Sequence, residues 1–345
     1  MSIGVIVTGG TIASTRDSNG EGLFAPRCGS ELRALVAGLG KRLGHDVHID
    51  TWRDAEGRPA PLLDSCDIDS QHWLAMSQQI DSLMAHCSAV VVLHGTDTLA
   101  YTSSALSMLA PRRLGPVILT GSQVPLLARG SDAEANLSLA LKTASGQLGD
   151  LAGDTVVAFG GKVMRGVRVT KYSTRDFEGF QSFNSFCMDD GEDSSEVLLS
   201  WQQERPAVSQ PLTGFANGVV VLRVVPGMEM EWLRAAMLSN PPAGVVLELF
   251  GVGSSPQAQV LADVANGLSE RGVPVVAVSA CDHGGLDWRR YEATAPLSSS
   301  ALIDGGDMRT EAAVVKLRGL LAGGRHEELE TRFQASIAGE CIRSI

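Results

Sequence analysis

The chain has 345 residues, 44% of them hydrophobic and 19% charged, which exceeds the usual size of a single core and makes two globular domains the expectation. Its net charge of −11 argues against nucleic acid or an anionic membrane surface as a partner, because an acidic chain gains nothing from a phosphate backbone. The six cysteines show no C-x-x-C pair and no metal-ligand spacing with the seven histidines, so they read as reduced thiols of a cytoplasmic protein, and no metal is expected. The N-terminal MSIGVIVTGG runs straight into a core strand without a basic region or cleavage site, and no apolar run reaches bilayer length, so neither secretion nor membrane insertion is expected.

Ile3 to Val7 is a short apolar run followed by Thr8-Gly9-Gly10-Thr11, where paired glycines let the backbone turn tightly and approach a ligand closely. A loop over 14–29, rich in small and polar residues, is a candidate lid; a helix from about residue 31, capped by Ser30, follows it. A strand is expected over 47–52. The turn Leu63-Asp64-Ser65-Cys66-Asp67 precedes a helix over 70–86 that carries Trp73, Leu74, Ile80 and Leu83 on one stripe. Ala89 to Leu93 is an unbroken Val-rich run, the pattern of a strand buried on both faces of a parallel sheet, and it stops at His94-Gly95-Thr96-Asp97-Thr98. A helix over 99–109, a strand over 117–120 ending in Gly121-Ser122-Gln123, and a helix over 132–144 continue the alternation.

From Thr155 the rhythm changes to short strands broken by Gly161, Gly166 and Gly179, among them the segment Arg168-Val169-Thr170-Lys171. The stretch 189–212 is polar and aperiodic and reads as a linker. Strands over 218–225, 244–250 and 273–278 and helices over 257–270, 310–321 and 327–337 follow it. The fold class is therefore α/β. A larger N-terminal domain (1–188) has a mainly parallel sheet with flanking helices, and a linker (189–212) leads to a smaller C-terminal α/β domain (213–345).

Ligands of open parallel sheets bind beyond the carboxyl ends of the strands. Two strand ends here present hydroxyls, and a helix cap needs only one such residue. Nucleophilic attack on a small amide fits: a threonine hydroxyl is a poor nucleophile at neutral pH and needs a neighbouring proton acceptor or cation. Thr11 follows two glycines, Thr96 and Asp97 come from another strand end, and Lys171 is the best candidate cation, although most lysines are solvated surface charges. His94 has the chemistry of a general base. Asp64 and Asp67 read first as turn and cap residues. Gln123 either lines the pocket or steadies a loop, and Cys66, beside Ser65, reads as a buried inert thiol.

TGGTIA near the N-terminus together with HGTDT resembles the L-asparaginase family of amidohydrolases. LDSCD from Leu63, RVTK, FGVGSSPQ and GGDMRTEAAVVKL are similar to further blocks in family order, the last two most of all to the cytosolic type I branch. The resemblance implies hydrolysis of L-asparagine to L-aspartate and ammonia, without metal or organic cofactor, by a homodimer or homotetramer. It implies Thr11 as the nucleophile that forms a β-aspartyl ester, with Thr96, Asp97 and Lys171 as the second catalytic group. Gly10, Asp64, Ser65, Gly95, Thr96 and Asp97 would bind the substrate, Ser65 and Asp97 holding its α-carboxylate and α-ammonium, and His94 would pack behind the strand. A glutaminase-asparaginase differs by one methylene of pocket depth, worth only ~1–3 kcal/mol of discrimination, and a non-catalytic asparagine sensor would keep the pocket. The sequence departs from the family at the lid: the loop 14–29 has no tyrosine, and Phe24 is its nearest aromatic, either closing over the substrate or packing the loop.

Overall fold

The computed structural model describes residues 2–15, 25–26, 29–149, 151, 153–185, 187–189, 201–202, 210–324 and 326–342. The chain divides into two compact units, Met1–Arg205 and Pro206–Ile345. The first contains strands β1 (Ser2–Val7), β2 (Ser14–Thr15), β3 (Ala25–Pro26), β4 (Asp46–Thr51), β5 (Ala89–Leu93), β6 (Val117–Thr120), β7 (Thr155–Phe159), β8 (Lys162–Arg165), β9 (Val169–Lys171), β10 (Phe180–Ser182) and β11 (Met188–Asp189). Its helices are α1 (Gly29–Leu43), α2 (Ser70–Leu83), α3 (Leu99–Leu109) and α4 (Ala133–Ala144).

The main sheet runs β11-β8-β7-β6-β5-β1-β4. Strands β4, β1, β5, β6 and β7 are mutually parallel, while β8 and β11 extend the sheet antiparallel. All five residues of β5 are buried, as a strand covered on both faces requires. The reversal at β8 follows from the two-residue turn Gly160-Gly161, whose φ values of 59° and 81° suit a type I′ hairpin and favour glycine. From β1 the chain crosses to β4 on one side and later returns to β5 on the other, so the strand order switches direction between β1 and β5. In open parallel sheets such a switch point, beyond the carboxyl ends of the strands, is where ligands bind.

The expected strands over 89–93 and 117–120 and the helix over 99–109 coincide with β5, β6 and α3. The helix expected to reach residue 86 ends at Leu83. It starts with a capping box in which the Asp69 carboxylate accepts from the His72 amide and the His72 ring accepts from the Asp69 amide. Ser30 is not a cap: α1 begins at Gly29, and the Ser30 hydroxyl donates to Glu31 Oε2 at 2.7 Å inside the first turn.

In the second unit, β12 (Val219–Arg223), β13 (Gly244–Leu249), β14 (Val275–Ser279) and β15 (Leu302–Asp304) form a parallel sheet in chain order. Its helices are α5 (Met230–Ser239), α6 (Ala258–Ser269), α7 (Ala295–Ser298), α8 (Thr310–Ala322) and α9 (Leu329–Gln334). Strand β15 and helices α5 and α7 are additions to the elements expected from sequence. On α8, Lys316 is fully buried with Glu340, Nζ to Oε1 2.5 Å, and also donates to the Ala335 carbonyl. Most of the expected linker, 189–212, lies outside the described residues. Among the described residues no helix is long and apolar enough to cross a membrane.

Candidate active site

Three turns meet at the switch point, and their glycines make the meeting possible. The Thr8 amide donates to the Leu93 carbonyl at 3.0 Å, the Leu63 amide to the Thr8 carbonyl at 2.8 Å and the Gly10 amide to the Leu63 carbonyl at 2.8 Å. A Cβ on Gly10 would lie 2.1 Å from Gly95 Cα, and one on Gly9 would lie 2.2 Å from the Leu63 carbonyl oxygen. A Cβ on Gly95 would strike the Ser65 side chain at 2.6 Å. The turn after β1, the Asp64–Cys66 turn and the turn after β5 are thus in backbone contact.

Gly10 (φ 77°) leads into a short 3-10 helix, Thr11–Ala13. Thr11 is half-buried at its start, and among the described residues its hydroxyl is not committed to another group. Ser65 is buried and opens the 3-10 helix Ser65–Asp67, while its carbonyl accepts from Thr98 Oγ1 at 2.7 Å. That bond ties the turn after β5 to the Ser65 turn. The Asp64 carboxylate caps this helix through the Cys66 amide at 3.1 Å, in keeping with its reading as a turn residue. Cys66 is exposed, contrary to the expected buried thiol, and hydrogen bonding to Asp64 holds its thiol above the usual range.

Lys171, at the end of β9, donates from Nζ to Thr96 Oγ1 at 2.7 Å and to Asp97 Oδ1 at 2.6 Å. The Thr96 side chain is buried and the Lys171 ammonium is largely shielded, but Asp97 is 68% exposed. The ion pair therefore contributes little to stability; its interest is geometric, one cation bridging a hydroxyl and a carboxylate. The β9–β10 hairpin sets Lys171 opposite Phe180, and Phe180 packs edge-on against Phe159 of β7.

His94 is fully buried behind the turn. Its Nδ1 lies 2.7 Å from the Gly95 carbonyl oxygen and its Nε2 lies 2.9 Å from Thr102 Oγ1, which also accepts from Trp73 Nε1 at 3.0 Å. The Gly95 carbonyl can only accept, so the imidazole donates from Nδ1, and the Nε2 of the neutral ring accepts from the Thr102 hydroxyl, whose oxygen accepts from the Trp73 indole. Burial pushes the His94 pKa down to about 4, against the Gly95 hydrogen bond, which raises it. A neutral imidazole with both nitrogens engaged is a brace for the Gly95–Thr96 turn, as expected, and Trp73, read from sequence only as core, anchors the Thr102 hydroxyl that meets it. Gln123 donates from Nε2 to the carbonyls of Ser173 and Asp176, which settles its two readings in favour of the loop. Asp132 and Asn136, not singled out from sequence, hold the Gln123 turn; a polar pair four residues apart on an otherwise apolar helix face was the available signal. Phe24 lies outside the described residues; the loop that contains it is closed at its base by pairing of β2 with β3.

A doubly wound sheet with hydroxyls, a carboxylate and a lysine gathered at its switch point defines an α/β protein of the crevice-site class. The family model described as asparaginase, N-terminal, matches residues 2–205, and that of the glutaminase/asparaginase C-terminal domain matches residues 218–333. The chain is 33% identical to an L-asparaginase of Thermococcus kodakarensis over 348 residues, covering 100% of both chains. It is 31% identical to L-asparaginase 1 of Escherichia coli over 338 residues, covering 96% of this chain and 93% of that one. The crystal structure of L-asparaginase I from Vibrio cholerae superposes with a TM-score of 0.81 at 30% identity, covering 99% of each chain. The chain belongs to the asparaginase family.

Proposed function

We propose that this chain hydrolyses L-asparagine to L-aspartate and ammonia, with Thr11 as nucleophile. The observation that carries this reading is the Lys171 ammonium bridging Thr96 Oγ1 and Asp97 Oδ1 at 2.7 and 2.6 Å beside the turn that bears Thr11. In the first half-reaction Thr11 Oγ attacks the side-chain amide carbon, the C–N bond breaks, and the hydroxyl proton leaves with ammonia, giving a β-aspartyl ester. Water then attacks the ester carbon, its proton returns to Thr11 Oγ, and aspartate departs. The new carboxyl ionises and ammonia takes up that proton. Thr96, Asp97 and Lys171 relay protons to the attacking and leaving groups. Gly10 and Gly95 bring the turns close enough to bind substrate between them; Ser65 receives the α-carboxylate and Asp97 the α-ammonium, with Asp64 shaping the Ser65 turn.

We infer a cytoplasmic enzyme that assembles as a homodimer or homotetramer from the resemblance of the blocks FGVGSSPQ and GGDMRTEAAVVKL to the cytosolic type I branch. The division of the chain at 205 and the gap between family models from 205 to 218 support a connection in the C-terminal part of the expected 189–212, between the expected domains 1–188 and 213–345; the first unit and the first family model both keep 189–205 with the first domain. Ammonia release measured with asparagine and glutamine side by side tests the activity. Turnover of asparagine is expected, and absence of ammonia from both amides would overturn it.

A further inference from the structure

We propose that Gln123 is a positioning residue for Lys171: from the end of β6 it fixes the loop that follows β9 at the register in which the lysine reaches Thr96 and Asp97. The inference rests on the role proposed above for Lys171. The Gln123 side-chain amide donates to two backbone carbonyls of that loop, Ser173 at 2.9 Å and Asp176 at 3.1 Å. Its two N–H groups match two acceptors, a pairing open to neither glutamate nor an apolar side chain. The loop is tied within itself, Ser173 Oγ donating to Asp176 Oδ2 at 2.8 Å and accepting from the Asp176 amide at 3.0 Å. It therefore moves as one piece with the end of β9, where the amides of Tyr172 and Ser173 both donate to the Gly179 carbonyl.

The other end of the tether is rigid. Asp132 accepts from the amides of Gln123 and Val124, each at 3.0 Å. Asn136 donates to Asp132 Oδ2 and to the Gly121 carbonyl and accepts from the Gly160 amide. Asp132 and Asn136 are buried, so the Gln123 backbone is locked to α4 and to the β7–β8 turn. A second tie to this region, Lys162 to Glu178 at 2.8 Å, is exposed and joins side chains only, which makes it the weaker constraint. Gly179 supplies an independent handle on the same contact. A Cβ there would lie 2.5 Å from Gln123 Nε2, and its φ lies outside the left-handed region, so alanine is admissible apart from that collision.

The test is a double-mutant cycle with Gln123→Met, which keeps length without donors, and Gly179→Ala, which displaces the amide from the opposite side. Each single variant is expected to lower kcat for asparagine about tenfold to a hundredfold, the scale of a small misplacement of a reacting group. KM should stay within about threefold, because the displaced group acts in the transition state. The double variant should be no slower than the worse single one, since both changes break one contact. Wild-type kcat in the variants, or losses that multiply in the double variant, would overturn the proposal. If Gln123→Met fails to fold, Gly179→Ala alone decides by the same split of kcat and KM. Lys171→Met, assayed beside them, separates the two levels: near-normal turnover there refutes the role of Lys171, whereas inactivity there with unaffected Gln123 and Gly179 variants refutes only the positioning.

Discussion

Lys171 meets Thr96 and Asp97 through one compact ammonium, a geometry that a planar guanidinium does not reproduce and with a proton that arginine does not release. Lys171→Arg is accordingly expected to fall about as far as Lys171→Met, on the order of a hundredfold to ten-thousandfold in kcat; an arginine variant with near-normal kcat would remove the proton-transfer role. His94 makes a separate prediction about stability. Burial lowers its pKa to about 4 from 6.5, so between those values the unfolded chain binds a proton that the folded chain does not. Its contribution to stability is full above about pH 6.5 and is lost as the pH falls towards 4, by on the order of 3 kcal/mol. Urea midpoints measured across that range should fall less steeply in His94→Gln than in the wild type, and equal slopes would place the titration elsewhere. Thr11, Thr96 and Asp97 were legible in the sequence as hydroxyls and a carboxylate at strand ends. Lys171 was legible only as the best candidate cation among lysines that mostly read as surface charges, because a hairpin of three-residue strands carries it to the other residues and no spacing records that; the family resemblance strengthened the reading.

At the scale of elements, the site depends on how closely the turns after β1 and β5 pack. Gly10 and Gly57 both have φ near 75°, at 77° and 75°, but a Cβ on Gly10 meets the Gly95 backbone whereas one on Gly57 meets nothing within 4 Å. Gly57→Ala should therefore lose only the conformational preference of glycine, about 1–2 kcal/mol. Gly10→Ala must also force two backbones apart and should lose more than about 4 kcal/mol together with activity. Denaturant unfolding of the pair checks this, and equal losses would mean that the turns do not pack as described. The long Val-rich run of β5 and the bounded helix α3 were legible end to end, because full burial leaves an unbroken apolar pattern. Strand β15 was not, since three residues are too short to show a period, and α2 ends at Leu83 where the sequence offers no glycine or proline to mark it.

At the scale of the whole molecule, each unit has its own sheet and core, and the second is braced by a buried charge pair. Burial raises the Glu340 pKa, but the Lys316 ammonium and the amides of Ala338 and Ile337 outweigh it and leave it lowered. Glu340→Gln strands the buried ammonium and should destabilise the second unit by about 3–5 kcal/mol, whereas Lys316→Met combined with Glu340→Gln should lose less. Hydrogen exchange over 310–342 reads the difference, and a single variant as stable as wild type would contradict it. The pair could not be seen in the sequence: a lysine on a helix reads as a surface charge, and its partner lies 24 residues away in a segment without pattern.

The most direct test of the account is ammonia release from L-asparagine by Thr11→Val beside the wild type. The valine keeps the shape of the threonine and removes only the hydroxyl, so turnover should vanish while calorimetric asparagine binding stays within about tenfold. A Thr11→Val enzyme that retains more than about a few per cent of wild-type turnover would show that the nucleophile is another group.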